Sequence, residues 1–202
     1  MKRLLDILIS LALFLLLLPL FLLIMLAIAV DSPGDIIFMQ KRAGLYSRPF
    51  TMLKFRSMRA AAPPDVATND LADAGRYITP VGRFLRRTSL DELPQLWNIL
   101  KGDMSFIGPR PVVLTETDLL RLRSRNGASS VRPGLTGLAQ VSGRDCVTVP
   151  EKARLDGQYA RCQSAALDCR ILLKTVGYVL HSSGVVEGAN PAITHCKKER
   201  SA

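Results

Sequence analysis

Histidine is nearly absent from this chain, and no paired-cysteine motif occurs in it. The 202 residues include two histidines, His181 and His195, and four cysteines, Cys146, Cys162, Cys169 and Cys196, with no C-x-x-C spacing. Neither a tetrahedral zinc site nor a disulfide framework is therefore expected, and the thiols read as reduced, and buried or incidental. Aromatic residues are scarce, with a single tryptophan, so no stacking platform for single-stranded nucleic acid is expected. Acidic residues are also short: 27 Lys+Arg face 17 Asp+Glu, a net charge of +10. An excess of that size has three ordinary partners, namely nucleic acid, anionic lipid headgroups and phosphate-bearing substrates. No internal repeat is present, and the length suits one domain with a modest core.

What the chain does have is an uninterrupted apolar run at its start. From Ile7 to Val30 there is no charge and one hydroxyl, Ser10, with Asp6 and Asp31 at the boundaries. The run is too long for an ordinary signal-peptide core, and no small-x-small cleavage site stands out. As one straight helix it would reach about 36 Å, enough for a hydrocarbon core of roughly 30 Å. Pro19 sits near its centre, however, and a mid-helix proline removes a hydrogen bond and kinks the helix. Each arm would then span about 18 Å, too short to cross alone. Cations flank both ends, Lys2 and Arg3 before, and Lys41, Arg42, Arg48, Lys54, Arg56 and Arg59 after. Placing both flanks on the cytoplasmic side favours a helix–break–helix hairpin that enters and leaves one leaflet. A proline-bearing helix that crosses remains the other geometry allowed by the residues.

Beyond the run, Asp31 to Asp35 reads as a turn, Ile36–Met39 as a short strand, and Phe50–Phe55 as its partner. Residues 60–80 read as a polar loop. Val81–Arg87 mixes apolar residues with three arginines, as an interfacial amphipathic helix does. Helices follow over Leu93–Leu100, stopped by Gly102, and over Leu114–Arg125, Glu151–Arg161 and Ala165–His181. In the last of these, Leu167, Ile171, Leu172, Val176, Val179 and Leu180 form an apolar stripe for a core or a bilayer. Residues 131–145 read as loops with short strands.

The densest chemistry lies between Arg86 and Pro111. Asp91 and Glu92 precede Pro94, which suits the first turn of a helix. Carboxylates there feel the helix's partial positive charge, and phosphate is attracted to the same place. An acidic pair can hold magnesium against substrate phosphates or supply a carboxylate nucleophile. The plainer reading is a capping box, Ser89-x-x-Glu92. Arg86, Arg87 and Arg110, with Arg132 and Arg144 further on, argue for more than a cap, because guanidinium binds phosphate through forked, charge-assisted bonds.

These residues, taken with Phe38-x-Gln40-x-Arg42-x-Gly44, Lys54-Phe-Arg-Ser-Met58, Thr88-Ser-Leu-Asp-Glu-Leu-Pro-Gln95, Asn98, Lys101 to Pro111, Arg132-Pro-Gly-Leu-Thr-Gly137 and Gln140-Val-x-Gly-Arg144, resemble the bacterial sugar transferases. The likeness is to the small monotopic phosphoglycosyl transferases and spans about residues 1–182. It implies a helix-rich α+β protein in three parts. Residues 1–32 would be a re-entrant membrane hairpin, and 33–185 a catalytic domain with interfacial amphipathic helices at the cytoplasmic face of the bacterial inner membrane. Residues 186–202 would be a tail. It also implies transfer of a phosphosugar from a UDP-sugar to polyprenyl phosphate, with UMP leaving. Asp91 would be the nucleophile and a magnesium ligand, forming a covalent phosphosugar–aspartate, and Glu92 the second catalytic carboxylate, orienting the metal or assisting the polyprenyl phosphate. Arg86, Arg110, Arg144 and, less centrally, Lys54 would contact phosphate; Asp156 is a weaker candidate. Expected partners are membrane lipids and the two substrates, with no nucleic acid. A departure is Leu18, which stands before the proline where the family commonly carries serine. The competing readings are an idle basic membrane scaffold and a membrane diphosphate hydrolase.

Overall fold

The apolar run breaks near its middle. In the structure, a computed structural model that describes residues 2–59, 61–63, 74–143 and 147–180, the chain bends by 62° between α1 (Lys2–Leu16) and α2 (Leu18–Asp31). The pivot is Leu17, whose φ of −90° and ψ of 3° leave helical geometry without any side-chain cap. Pro19 lies in the first turn of α2, where its missing N–H is tolerated. Bonds from Leu17 N–H to Leu13 O and from Phe21 N–H to Leu17 O, both 2.9 Å, carry the backbone across the bend. No single described helix is long and apolar enough to cross a membrane; the bent pair is, by length and composition.

The flanking cations tie the bent pair to the rest of the chain. Arg3 donates to the carbonyls of Ile99 at 2.6 Å and Leu100 at 2.9 Å, and Lys2 pairs with Asp168 at 2.6 Å. Asp6, buried, accepts from the backbone N–H of Phe106. At the other end Arg56 holds Ser32 through its carbonyl and hydroxyl, and Asp31 accepts from Val81 N–H. Both feet of the hairpin are thus fastened to the same body.

That body is built on two small sheets. Strands β1 (Ile37–Ala43) and β2 (Pro49–Phe55) form the expected antiparallel pair, in register from Ile37 opposite Phe55 to Ala43 opposite Pro49. Helix α3 (Pro80–Thr88) begins with Thr79 accepting from Gly82 N–H, and presents Phe84, Arg83 and Arg87 outward. Gly82 is required there, since a Cβ would stand 2.0 Å from Ser57 O. Helix α4 (Gln95–Lys101) ends at Gly102 in the left-handed region, as the sequence predicts. Strand β3 (Ser105–Ile107) pairs in parallel with β4 (Gly134–Thr136). Helices α5 (Thr117–Asn126), α6 (Val149–Arg161) and α7 (Ala165–Leu180) follow. The helix-rich α+β class expected from the sequence describes this architecture.

The hairpin shares the core with the body. Phe50, Met52, Leu96, Ile99 and Met104 pack against Leu13, Phe14 and Phe21, while Ile24 and Ile28 pack with Phe55 and Leu85. At roughly 1.5–3 kcal/mol per buried large apolar side chain, these contacts bind α1 and α2 to β2, α3 and α4 firmly. The outer faces of α1 and α2 keep Leu4, Leu8, Leu15, Leu16, Leu22, Leu23 and Leu26 exposed, far more than a water-facing helix carries. The α7 stripe divides: Ile171 enters a cluster with Ile107, Val141 and Tyr159, while Leu172, Leu173 and Val176 stay exposed. Cys162 and Cys169 are free thiols, but both are exposed rather than buried. The tail and most of the 60–80 loop lie outside the described residues.

Candidate active site

Two short elements bring the acidic pair to its place. Helix α3 ends at Ser89, whose φ of 58° puts a non-glycine residue in the left-handed region. The chain then makes one 3-10 turn, Leu90–Glu92, before Pro94 opens α4. Asp91 and Glu92 therefore precede α4 instead of lying within its first turn. The capping box is not formed: Ser89 makes no side-chain cap bond, and the Glu92 carboxylate turns to two cations instead.

Those cations arrive from separate parts of the fold. Lys54, on β2, lies 2.7 Å from Glu92 Oε1 and 3.5 Å from Asp91 Oδ2. Arg110, between Pro109 and Pro111, lies 2.9 Å from the same Glu92 oxygen. Asn98 fixes the first relationship: its side chain accepts from Leu53 N–H at 3.0 Å and donates to Thr51 O at 2.8 Å. A side chain of α4 thereby completes the edge of β2 on either side of Met52, close to Lys54 along the strand. Arg86 reaches the same region, donating from Nε to Ser57 Oγ at 2.8 Å and acting on Asp91 through its charge.

The two carboxylates are in opposite electrostatic states. Burial pushes the Asp91 carboxyl above its ordinary value, and Glu92's charge adds to that, while Lys54, Arg86 and Arg110 oppose it. Burial would also raise Glu92, but Arg110 and Lys54, through charge and hydrogen bonds, overturn it and hold this group down at about 2. Glu92 is thus a permanent anion that anchors two cations, and Asp91 is a poorly solvated carboxylate beside them. Neighbouring groups pushed apart in this way mark sites of chemistry.

Of the residues singled out in the sequence, Asp91, Glu92, Lys54, Arg86 and Arg110 converge here. Arg144 lies outside the described residues. Arg132 does not join: its Nε donates to Gly102 O at 2.9 Å, so with Arg3 it satisfies the last carbonyls of α4. Asp156 pairs with Arg123 inside the protein and makes no direct contact with the pair. Arg42 belongs to the motif resemblance, and nothing in the sequence gives it a role. Burial first, then the charge of Arg110, lowers its pKa to about 10, and its guanidinium donates to Gln40 Oε1. The alternation Gln40-x-Arg42 on one face of β1 was the available signal.

Among the described residues no group of three or more His, Cys, Asp or Glu converges as a metal cage. The donor set offers one or two carboxylates, which fits magnesium completed by water and substrate phosphates and does not fit a protein-enclosed ion.

Comparison with known proteins shows the family. The sequence model of the family described as bacterial sugar transferase matches residues 1–182. A UDP-glucose:undecaprenyl-phosphate glucose-1-phosphate transferase of Caulobacter vibrioides is 42% identical over 187 residues, covering 89% of this chain and 69% of that protein. The uncharacterized sugar transferase EpsL of Bacillus subtilis is 42% identical over 168 residues, covering 82% of this chain and 79% of that one. A UDP-glucose:undecaprenyl-phosphate glucose-1-phosphate transferase of Escherichia coli is 39% identical over 183 residues, 87% of this chain, but this chain spans only 39% of its length.

Proposed function

Because the chain belongs to the bacterial sugar transferase family, we propose that it moves a phosphosugar from a UDP-sugar to a polyprenyl phosphate, releasing UMP. The observation that carries the reading is Asp91, buried and flanked by Lys54, Arg86 and Arg110, in a turn whose Leu90 and Leu93 pack with Ile24 and Ile28 of α2. A basic scaffold would need no carboxylate placed in this way. The relatives named for UDP-glucose and undecaprenyl phosphate make those compounds the first to test.

The residues suit a two-step displacement. An Asp91 oxygen attacks the phosphorus that bears the sugar; the bond from that phosphorus to the bridging oxygen breaks, and UMP departs with the oxygen. A polyprenyl phosphate oxygen then attacks the same phosphorus, the aspartyl bond breaks, and the carboxylate is restored. No net proton is gained or lost by Asp91. Using one site twice gives ping-pong kinetics. Two anions have to meet in each step, so fixed cations lower the barrier. Arg110 and Arg86 are the fixed charges for the phosphate oxygens, and 43% of the Arg110 side chain is open to solvent. Lys54 and Glu92 hold the array in register, and Arg144 is a further candidate phosphate contact. Magnesium, when bound, would be held by Asp91 and supplies further positive charge against the diphosphate.

The hairpin brings the lipid to this site. Support for a re-entrant geometry comes from Lys2, Arg3 and Asp6 at one foot and Asp31 and Ser32 at the other, all bonded to the same body. A helix crossing about 30 Å of hydrocarbon would separate them. On this reading the cations at both ends put the body on the cytoplasmic face of the inner membrane, with the exposed leucines of α1 and α2 in lipid.

The deciding experiment is UMP release by membranes carrying the protein, over a panel of UDP-sugars, with and without undecaprenyl phosphate and magnesium. Lipid-dependent formation of a polyprenyl diphosphate sugar supports the transferase. Sugar phosphate released to water without lipid would establish a hydrolase instead.

A further inference from the structure

Helices α5 and α6 meet around a buried ion pair, beside bonds from Asn126 Nδ2 to Ala153 O at 2.6 Å and from Arg161 Nη1 to Asn126 O at 3.3 Å. Arg123 Nε and Nη2 both donate to Asp156 Oδ2, at 2.8 Å and 2.6 Å. The two side chains are only 6% and 1% exposed. Leu119 on α5 and Ala153 on α6 share a buried apolar cluster with Val112, and Lys152 acts on the pair through its charge. A buried ion pair of this kind adds little net stability, because desolvation offsets its attraction, and apolar residues of similar volume often serve as well. Stability therefore does not account for its presence.

The remaining guanidinium nitrogen supplies a reason. Arg123 Nη1 donates at 3.0 Å to the main-chain carbonyl of Arg110. The backbone on either side of that carbonyl is held by other bonds. Gly108 N–H donates to Thr136 O at 2.9 Å, Gly134 N–H to Pro109 O at 3.0 Å, and Ala43 N–H to Val112 O at 3.0 Å. Pro109 and Pro111 stiffen the segment between. Arg123 closes the interval at the one residue whose side chain leaves the segment for Glu92.

We propose that Arg123 and Asp156 are positioning residues for Arg110: Asp156 aims the Arg123 fork, Arg123 fixes the Arg110 carbonyl, and the Arg110 guanidinium is thereby presented to the reacting phosphate. This rests on the reading of Arg110 as a phosphate contact. A displacement of about 1 Å at a positioned group can cost on the order of 100-fold in rate, which sets the size of effect to expect.

The test is a double-mutant cycle between the pair and Arg110 in the full-length protein in native lipid. R123M/D156L removes both charges together and is expected to keep the fold, as paired apolar replacements do. R123K, which keeps charge and loses the fork, is the second arm. Two quantities are read, kcat/KM for UMP release and the Kd of UDP, the latter measurable where turnover is lost. Either arm is expected to lower kcat/KM by roughly 10–100-fold and to weaken UDP. In an R110A background the same changes should add less than about 3-fold to either quantity, because a residue acting only through Arg110 has nothing left to position. Full activity in R123M/D156L, or equal losses with and without Arg110, overturns the proposal. Failure of both arms to fold assigns the pair to the core and overturns it as well. A wild-type protein that releases no UMP defeats the functional reading itself, and the positioning role falls with it; an active wild type with an additive cycle defeats only the positioning role.

Discussion

The Lys54 ammonium lies 2.7 Å from the Glu92 carboxylate, across 38 residues of sequence. The contact joins a strand to the turn that carries the acidic pair, and it leaves Lys54 within 3.5 Å of Asp91. Lys54→Met should therefore reduce UMP release by roughly 100-fold or more, the scale seen when one charge-stabilising donor is removed. Lys54→Arg should recover part of it. Initial rates at saturating UDP-sugar check this; turnover within about twofold of wild type in the methionine variant would remove Lys54 from the site.

Asp91→Asn should abolish UMP release without lowering stability. Burial raises the Asp91 pKa, so between the unfolded and folded values the native state binds more protons than the unfolded one. Stability from this group is then greatest at acidic pH and declines as pH rises through that window. Asparagine removes the penalty, and the variant should melt at the same temperature as wild type near pH 4 and at the same or a higher one at pH 8. A clearly lower melting temperature at pH 8 would contradict the buried, disfavoured anion described above.

Glu92→Gln should show the reverse dependence. The folded Glu92 titrates at about 2 against an ordinary 4.5, so its contribution is fully present above about 4.5 and lost as pH falls toward 2. The glutamine variant should be less stable than wild type at pH 7 by on the order of 2–3 kcal/mol, with the gap narrowing below pH 4. A gap independent of pH would mean that packing, not charge, is what glutamine disturbs.

Cysteines introduced at Lys2 and Asp35, in a background freed of the native four, should both react with an impermeant maleimide from the cytoplasmic side and from that side only. Lys2→Cys breaks the pair with Asp168, a loss of about 1 kcal/mol or less for a contact this open to solvent. Labelling from opposite faces would replace the re-entrant hairpin with a crossing helix.

Much of this was legible in the chain because it depends on local rules. The break near Pro19, the β1–β2 hairpin, the stop at Gly102 and the stretches of α3, α6 and α7 all follow from periodicity and from proline and glycine chemistry over a few residues. The crowding of Asp91, Glu92, Arg86 and Arg110 within 25 positions marked the site in the same way. What neighbouring residues could not decide is which cations a carboxylate meets. Glu92 looked equally able to cap a helix, yet it binds Lys54 and Arg110; Arg132 looked like a phosphate ligand, yet it caps α4 from 30 residues away. Sequence fixes the hydrogen-bonding capacity and charge of each side chain. Only the packing of α1 on α4, β2 on α4 and α5 on α6 determines which groups come within 3 Å of each other. Those distances, in a poorly solvated interior, set the charge state of Asp91 and Glu92.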